Sequence, residues 1–173
     1  YAKDTLGITS VFKGLLHEAA YPSNFFDAVI MVDTIEHLVG LKGVFGEIRR
    51  ILKADGVLCV STPDIASIPS RILKARWWGI KQYHMYYFTR QTLTHMLRVA
   101  GFAPIKTKSH ARTFSLAYWL DRFKLYNQTL HGIVVLLTKL RIIRSALLTI
   151  DFKDQIEVYA KKRRTIEFLD ELE

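Results

Sequence analysis

The stretch VDTIEHL, residues 32–38, sets Asp33, Glu36 and His37 at positions i, i+3 and i+4 directly after the apolar run FFDAVIM. If a helical turn starts there, that spacing puts both carboxylates and the imidazole on one face. Two hard oxygens and a nitrogen converging at one point can hold a divalent cation such as Mg²⁺, Mn²⁺ or Zn²⁺. The same residues can do other work. The acid can cap the following helix, and the histidine can act as a general base or only line a pocket. Thr62, Pro63 and Asp64 close a second apolar run, VLCVST, and are the other candidate wall of an acceptor pocket.

These groups do chemistry only if the chain brings them together. FFDAVIMV (25–32) is a nearly continuous apolar run of strand length, which suits a parallel strand covered on both faces. Leu41, Val44, Phe45, Ile48, Ile51 and Leu52 recur at helical steps, ADG (54–56) reads as a turn, and VLCVST (57–62) reads as a second buried strand ended by Pro63. Strand, helix, strand at this spacing is a βαβ unit with a right-handed crossover. In such sheets ligands bind beyond the carboxyl ends of the parallel strands, where Asp33–His37 and Thr62–Asp64 stand.

Around this unit, YAKDTLG reads as the end of a helix capped by Gly7, and ITSVFK (8–13) as a short strand. Thr89 can cap a helix carrying Leu93, Met96 and Leu97 and ended by Gly101. APIKTKS (103–109) is a weaker strand. DQIEVYAKK alternates Ile156, Val158 and Ala160 with Glu157, Tyr159 and Lys161, the pattern of a strand with one wetter face.

With 173 residues, half of them apolar, the chain suits one globular domain of α/β class. Its lone Cys59 forms no disulfide framework, which favours a reducing, cytoplasmic setting. The net charge of +9 is concentrated: between Lys106 and Arg144 eight Lys or Arg face a single acid, Asp121. A chain that starts at Tyr1 with no basic or signal-like leader reads as a fragment of something longer.

FDAVIMVDTIEHLVGLKGVFGEIRRILKADGVLCVSTPD, followed by RWWGIKQYHMYYFTRQTLTHMLRVAGF, resembles the second half of a class I S-adenosylmethionine-dependent methyltransferase. The resemblance covers most of residues 1–109 and resumes at the final strand. It implies a Rossmann-like α/β sheet, methyl transfer to an oxygen of a small or lipid-linked acceptor, and S-adenosylmethionine as cofactor. By the same resemblance Leu15, Leu16 and Asp33 lie on the cofactor side, Glu36 and His37 are catalytic, and Thr62, Asp64, Trp78 and Tyr87 shape the acceptor pocket. The ubiquinone-pathway O-methyltransferases and small-RNA 2′-O-methyltransferases carry an acid-x-x-Glu-His ligand set at this strand end. HMYYFTR resembles a later segment of the RNA enzymes, so His84 joins Asp33, Glu36 and His37 as a candidate metal ligand. A bound metal would lower the pKa of an acceptor hydroxyl. The aromatics of RWWG and YHMYYF can instead form a lid packed on the core.

The family's glycine-rich loop and ribose-binding acid have no counterpart here, and Gly40, Gly43 and Gly46 lie in a helical pattern with no strand before them. Two lost hydrogen bonds to a carboxylate are worth roughly 3–6 kcal/mol. That would weaken a micromolar cofactor to about the millimolar range. The resemblance therefore implies a methyltransferase parent and a segment inactive alone, the alternative being a non-catalytic methyltransferase-like binding or interaction module. It also implies two further strands between 8–13 and 25–32 in the sheet.

The domain reading is 1–111 with 150–164 as a partial methyltransferase domain, 112–149 as a helical insertion, and 165–173 as a C-terminal tail. Within the insertion Ile133, Leu136, Leu137, Leu140 and Leu147 fall on one stripe, interrupted by Lys139, Arg141 and Arg144. No apolar run is long enough to span a bilayer. A helical cap or homodimer face is the first reading of this stretch. An amphipathic helix on an anionic membrane surface, which would make the protein peripheral to the inner face of a membrane, is the second. Nucleic acid comes third, because the apolar stripe exceeds what phosphate binding needs.

Overall fold

Alternating apolar residues make the sheet. Ile156, Val158 and Ala160 are fully buried on the last strand, and Leu58 and Val60 are buried beside them. The computed structural model describes residues 1, 3–118 and 146–163. Its elements are β1 (Phe26–Val32), α1 (Leu41–Ile51), β2 (Leu52–Pro63), α2 (Ile68–Leu73), α3 (Arg90–Val99), β3 (Phe102–Ser109), β4 (Arg112–Ser115), β5 (Leu147–Ile150) and β6 (Gln155–Lys162). The main sheet has the order β1-β2-β6-β3. β1 runs parallel to β2, and β6 is antiparallel to both β2 and β3. The fold is α/β and Rossmann-like, with β6 reversing the sheet's direction.

One face of the sheet carries the core. Met31, Leu58, Val60, Val158 and Ala160 pack with Phe45 and Ile48 of α1, Leu93 and Leu97 of α3, and Phe102. Thr89 caps α3 by accepting from the Thr92 N–H at 3.1 Å. Gly101 ends that helix at φ +81°, and a Cβ there would meet Arg49 Nη1 at 1.8 Å. Arg49 donates to the Gly101 carbonyl across the same gap at 3.1 Å, so a glycine is required both by the turn and by the close approach.

Several expectations change. Residues 8–13 pair with no strand among the described residues and are not a strand. ITSVFK has the composition of a strand, but a strand needs a neighbour to take its backbone hydrogen bonds. Residues 3–6 form a turn rather than the end of a longer helix. ADG does not separate helix from strand: β2 runs through it, and Phe26 faces Leu52 while Ala28 faces Val57, so Lys53–Gly56 bulge out of register. β1 is not covered on both faces by described residues; Ile30 and Val32 are 69% and 51% exposed.

The insertion at 112–149 begins and ends as strand, not helix. β4 and β5 form a separate antiparallel ladder from Arg112–Ile150 to Ser115–Leu147. The Thr113 and Thr149 hydroxyls bond across it at 2.7 Å. Leu147 therefore leaves the proposed helical stripe, while Ile133, Leu136, Leu137 and Leu140 lie outside the described residues. No helix among the described residues is long and apolar enough to cross a membrane.

Polar groups gather on the opposite face of β6. Glu157 is buried and accepts from Tyr159, from His110 and, at 3.1 Å, from Lys108. Burial pushes its carboxyl up, but these three donors together hold it below the usual glutamate range. Asp151, also raised by burial, is pulled to about 2 by Lys153 and Ser109. Depressed folded pKa values contribute stability that is present above the unfolded values near 4 and lost as pH falls through the folded ones. Urea midpoints should therefore hold between pH 7 and 5 and fall steadily below about pH 4. Glu157→Gln should flatten that fall, and an unchanged slope in the variant would remove Glu157 as its source.

Candidate functional site

The strand tips meet. Asp33 N–H donates to the Ser61 carbonyl at 3.0 Å, so the exits of β1 and β2 lie side by side. Asp33 is left-handed, at φ 45°, and Thr34 Oγ1 folds back on the Val32 carbonyl at 2.8 Å. The chain then makes a single 3-10 turn, Ile35–His37. That local geometry decides the site. Ile35 points into the core with no exposure, and Glu36 follows it inward, 1% exposed.

Inside, Glu36 Oε2 accepts from Thr62 Oγ1 at 2.9 Å, which ties the β1 exit to the β2 tip by side chains as well. Glu36 Oε1 has no hydrogen-bond partner, and neither does the buried Nδ1 of His84. Buried polar atoms without partners are rare enough that each asks for a reason, an ion or water among them. The backbone explains how His84 arrives: Met85 N–H donates to the Glu36 carbonyl at 2.7 Å, docking the HMYYF segment on the turn.

His37 completes a cluster. Its ring lies 4.7 Å from that of His84 and 5.3 Å from Tyr83, and its Nδ1 approaches the Tyr83 carbonyl at 3.3 Å. One ligand atom from each of Glu36, His37 and His84 lies within 4.8 Å of the others. Burial pushes the His84 imidazole below its ordinary pKa, and His37 and Lys81 push the same way against the Glu36 charge and a Gly79 backbone hydrogen bond. A neutral imidazole is the form that coordinates metal or accepts a proton.

Asp33 does not join them. Its left-handed backbone turns the carboxylate toward the last strand, where Gln155 Nε2 donates to Oδ1 at 2.5 Å. Burial raises its pKa, opposed by Arg112, His110, His84 and His37. A 3-10 turn starting at Ile35, rather than an α-turn starting at Asp33, is the reason the i, i+3, i+4 face breaks after its first member.

The other predicted residues divide. Tyr87 sits beside the cluster, its ring 5.9 Å from His84 and its hydroxyl donating to the Lys81 carbonyl at 3.0 Å. Asp64 is buried and accepts from Ala66 N–H at 2.9 Å while Arg90 lies 3.8 Å away, so its carboxylate shapes the turn after β2. Trp78 donates to Asp154 and lies flat against the Arg112 guanidinium, 3.7 Å from the ring centre. Leu15 is exposed, and its N–H is occupied by Glu18 Oε2 at 2.7 Å; Leu16 packs against the core. Asp33 Oδ1 is taken by Gln155, while its second oxygen makes no hydrogen bond among the described residues.

Asp154, Gln155 and Arg112 escaped the sequence reading. Arg112 donates to Asp154 at 3.0 Å and to Gln155 at 2.9 Å, and Gln155 reaches Asp33, so one network runs from Trp77 and Trp78 to the β1 tip. A signal existed: an antiparallel last strand starts at the edge where parallel strands end, so its first residues must border the site.

A family profile described as a methyltransferase domain matches residues 6–107. Sterol 24-C-methyltransferase erg-4 of Neurospora crassa is 42% identical over 48 residues, which are 28% of this chain and 13% of that enzyme. The chain thus matches only a small part of that relative's length. A SAM-dependent methyltransferase from Archaeoglobus fulgidus superposes with TM-score 0.57 at 18% identity, covering 92% of this chain and 71% of that one. The [4+2]-cyclase SpnF superposes with TM-score 0.52 at 16% identity, covering 94% and 60%. At such identities the two structures speak for the fold alone.

Proposed function

The chain belongs to the class I S-adenosylmethionine-dependent methyltransferase family, and from that premise we propose that it serves methyl transfer to a hydroxyl oxygen of a small or lipid-linked acceptor. The observation that supports this reading is the pair of buried, unpartnered atoms, Glu36 Oε1 and His84 Nδ1, beside His37. They gather a carboxylate and two imidazoles where the acceptor would lie, at the joined tips of β1 and β2. A carbon acceptor, as in the name of the sterol relative, offers no acidic hydroxyl for such a group to engage.

When bound, S-adenosylmethionine supplies a methyl on a positively charged sulfur, open to in-line attack by a nucleophilic oxygen. Glu36, His37 and His84 would hold a divalent cation, which supplies Lewis acidity that lowers the pKa of a neighbouring hydroxyl. The donor set of two nitrogens and one carboxylate oxygen suits zinc or manganese better than magnesium. The three ligand atoms lie within 4.8 Å of one another, so only small side-chain shifts would be needed for all three to hold one ion. Thr62 holds Glu36 by its other oxygen and so fixes which oxygen faces the cluster. The ring stack of Tyr83 on His37 orients that imidazole. Trp78, held by Asp154 and Arg112, walls the same edge of the sheet.

A second reading keeps the fold and drops the chemistry, leaving a methyltransferase-like binding module. It is favoured by the adenine-side loop closing on itself, the Leu15 N–H being taken by Glu18 Oε2 next to Leu16, whose backbone the resemblance places against adenine. One titration separates the two. Zn²⁺ or Mn²⁺ added to the 173-residue chain should bind one to one, and His84→Ala should weaken binding about 100-fold or more, at least what losing an outer-shell partner costs. Equal binding by the parent chain and the variant would remove the metal from the proposal.

A further inference from the structure

Asp33 is the one expected ligand that stands apart from Glu36, His37 and His84, although its carboxylate lies near enough to feel the charges of both imidazoles. The residue that holds it off is the first of β6. Gln155 is 2% exposed and stands opposite Pro63 in the ladder, one place along from Thr62, which holds Glu36. Its Nε2 donates to Asp33 Oδ1 at 2.5 Å, and its Oε1 accepts from Arg112 Nε at 2.9 Å. The arginine has no acceptor to offer, so it fixes which end of the amide faces Asp33. Arg112 is itself set from two sides: Nη2 donates to Asp154 at 3.0 Å, and the guanidinium lies on the Trp78 ring. Asp154 is tied to the β2 tip through its carbonyl, which accepts from the Asp64 N–H at 3.0 Å. A connected series of polar groups therefore runs from the sheet to one carboxylate oxygen. The left-handed Asp33 backbone sets where the side chain starts, and Gln155 selects among its rotamers.

Resting on the metal reading above, we propose that Gln155 is a positioning residue of that centre. It keeps Asp33 out of the ligand set, so that Glu36, His37 and His84 hold the cation with a position left open. Three protein ligands and an open position mark catalytic zinc sites, whereas structural sites are closed by four. Asp33 as a fourth ligand would close this one. It would also bring a second carboxylate, and two carboxylates cancel the charge of a divalent ion where one leaves a net positive charge. That residual charge is what lowers the pKa of a neighbouring hydroxyl.

Cobalt reads the ligand set, because its visible absorption follows the number and geometry of its ligands. Co²⁺ added to the 173-residue chain should give a spectrum that azide, a small anion able to fill an open position, shifts. Asp33→Asn keeps an oxygen for Gln155 and should leave that spectrum and its azide response in place. Gln155→Met, similar in length and without an amide, should change the spectrum. It should also weaken the azide response about tenfold or more, within the roughly 10–100-fold reach of outer-shell substitutions. Adding Asp33→Asn to Gln155→Met should bring the parent spectrum back, a rescue that a merely structural role for Gln155 does not produce. A spectrum unchanged by Gln155→Met overturns the proposal. So does a spectrum altered by Asp33→Asn alone, a result that stands even if Gln155→Met fails to fold. A parent chain with no cobalt spectrum would instead remove the metal reading, and this proposal with it.

Discussion

Glu36→Gln should raise the stability of the metal-free chain while weakening divalent-metal binding about 100-fold or more, a ligand costing at least what an outer-shell partner does. The opposite signs follow from one geometry. Glu36 is 1% exposed, and one of its oxygens has no partner although the group carries a carboxylate's demand for solvation. A glutamine of the same shape keeps the acceptor for Thr62 Oγ1. It also replaces an unpartnered carboxylate oxygen in the buried cluster by a neutral amide group, which removes the solvation demand of the buried charge. Relieving a buried unsatisfied group is worth about 1–3 kcal/mol, which urea unfolding in the presence of chelator would read directly. A destabilised variant would mean that Oε1 serves the fold and not a ligand, and it would remove the strongest support for the site. Groups kept at a cost to folding stability are what a functional site is built from.

Asp154→Ala should be the most damaging single substitution at the site's border, costing about 3–5 kcal/mol of stability, the range for breaking one side of a buried ion pair. Asp154 is 3% exposed and accepts from Arg112, Trp77 and Trp78 at once. Trp77 itself is buried at 1%. Removing the carboxylate takes the anion Asp154 away from the guanidinium and leaves two indole N–H groups without this acceptor. Arg112→Met in the same background should recover part of the loss, because part of the penalty is the attraction lost between Asp154 and the half-buried guanidinium. Unfolding curves for the two single variants and the double variant test this. A loss under 1 kcal/mol for Asp154→Ala would show that water already solvates the network.

The strands and helices that could be seen from the sequence were those whose evidence is local. FFDAVIMV, the Leu41–Ile51 stripe, VLCVST, the Thr89-to-Gly101 helix and the alternation of residues 155–162 all carry their period within a single element, and each appears at its place. ITSVFK did not become a strand, because composition says nothing about whether a neighbour is there to accept its hydrogen bonds. The β4–β5 pairing was hidden for the same reason, its two halves standing 36 residues apart at Thr113 and Thr149.

Residue types and their spacing determined the family, the βαβ core and the presence of a carboxylate and histidines at a strand exit. Only the tertiary structure decided which of them meet. A left-handed Asp33 and a 3-10 turn send one carboxylate to Gln155 and the other to His84. Backbone hydrogen bonds from Met85 to Glu36 bring in an imidazole 47 positions beyond His37. Periodicity records which way a side chain faces within its own element. Convergence depends on a backbone angle at one residue and on contacts between segments far apart in the chain, and neither leaves a period to read.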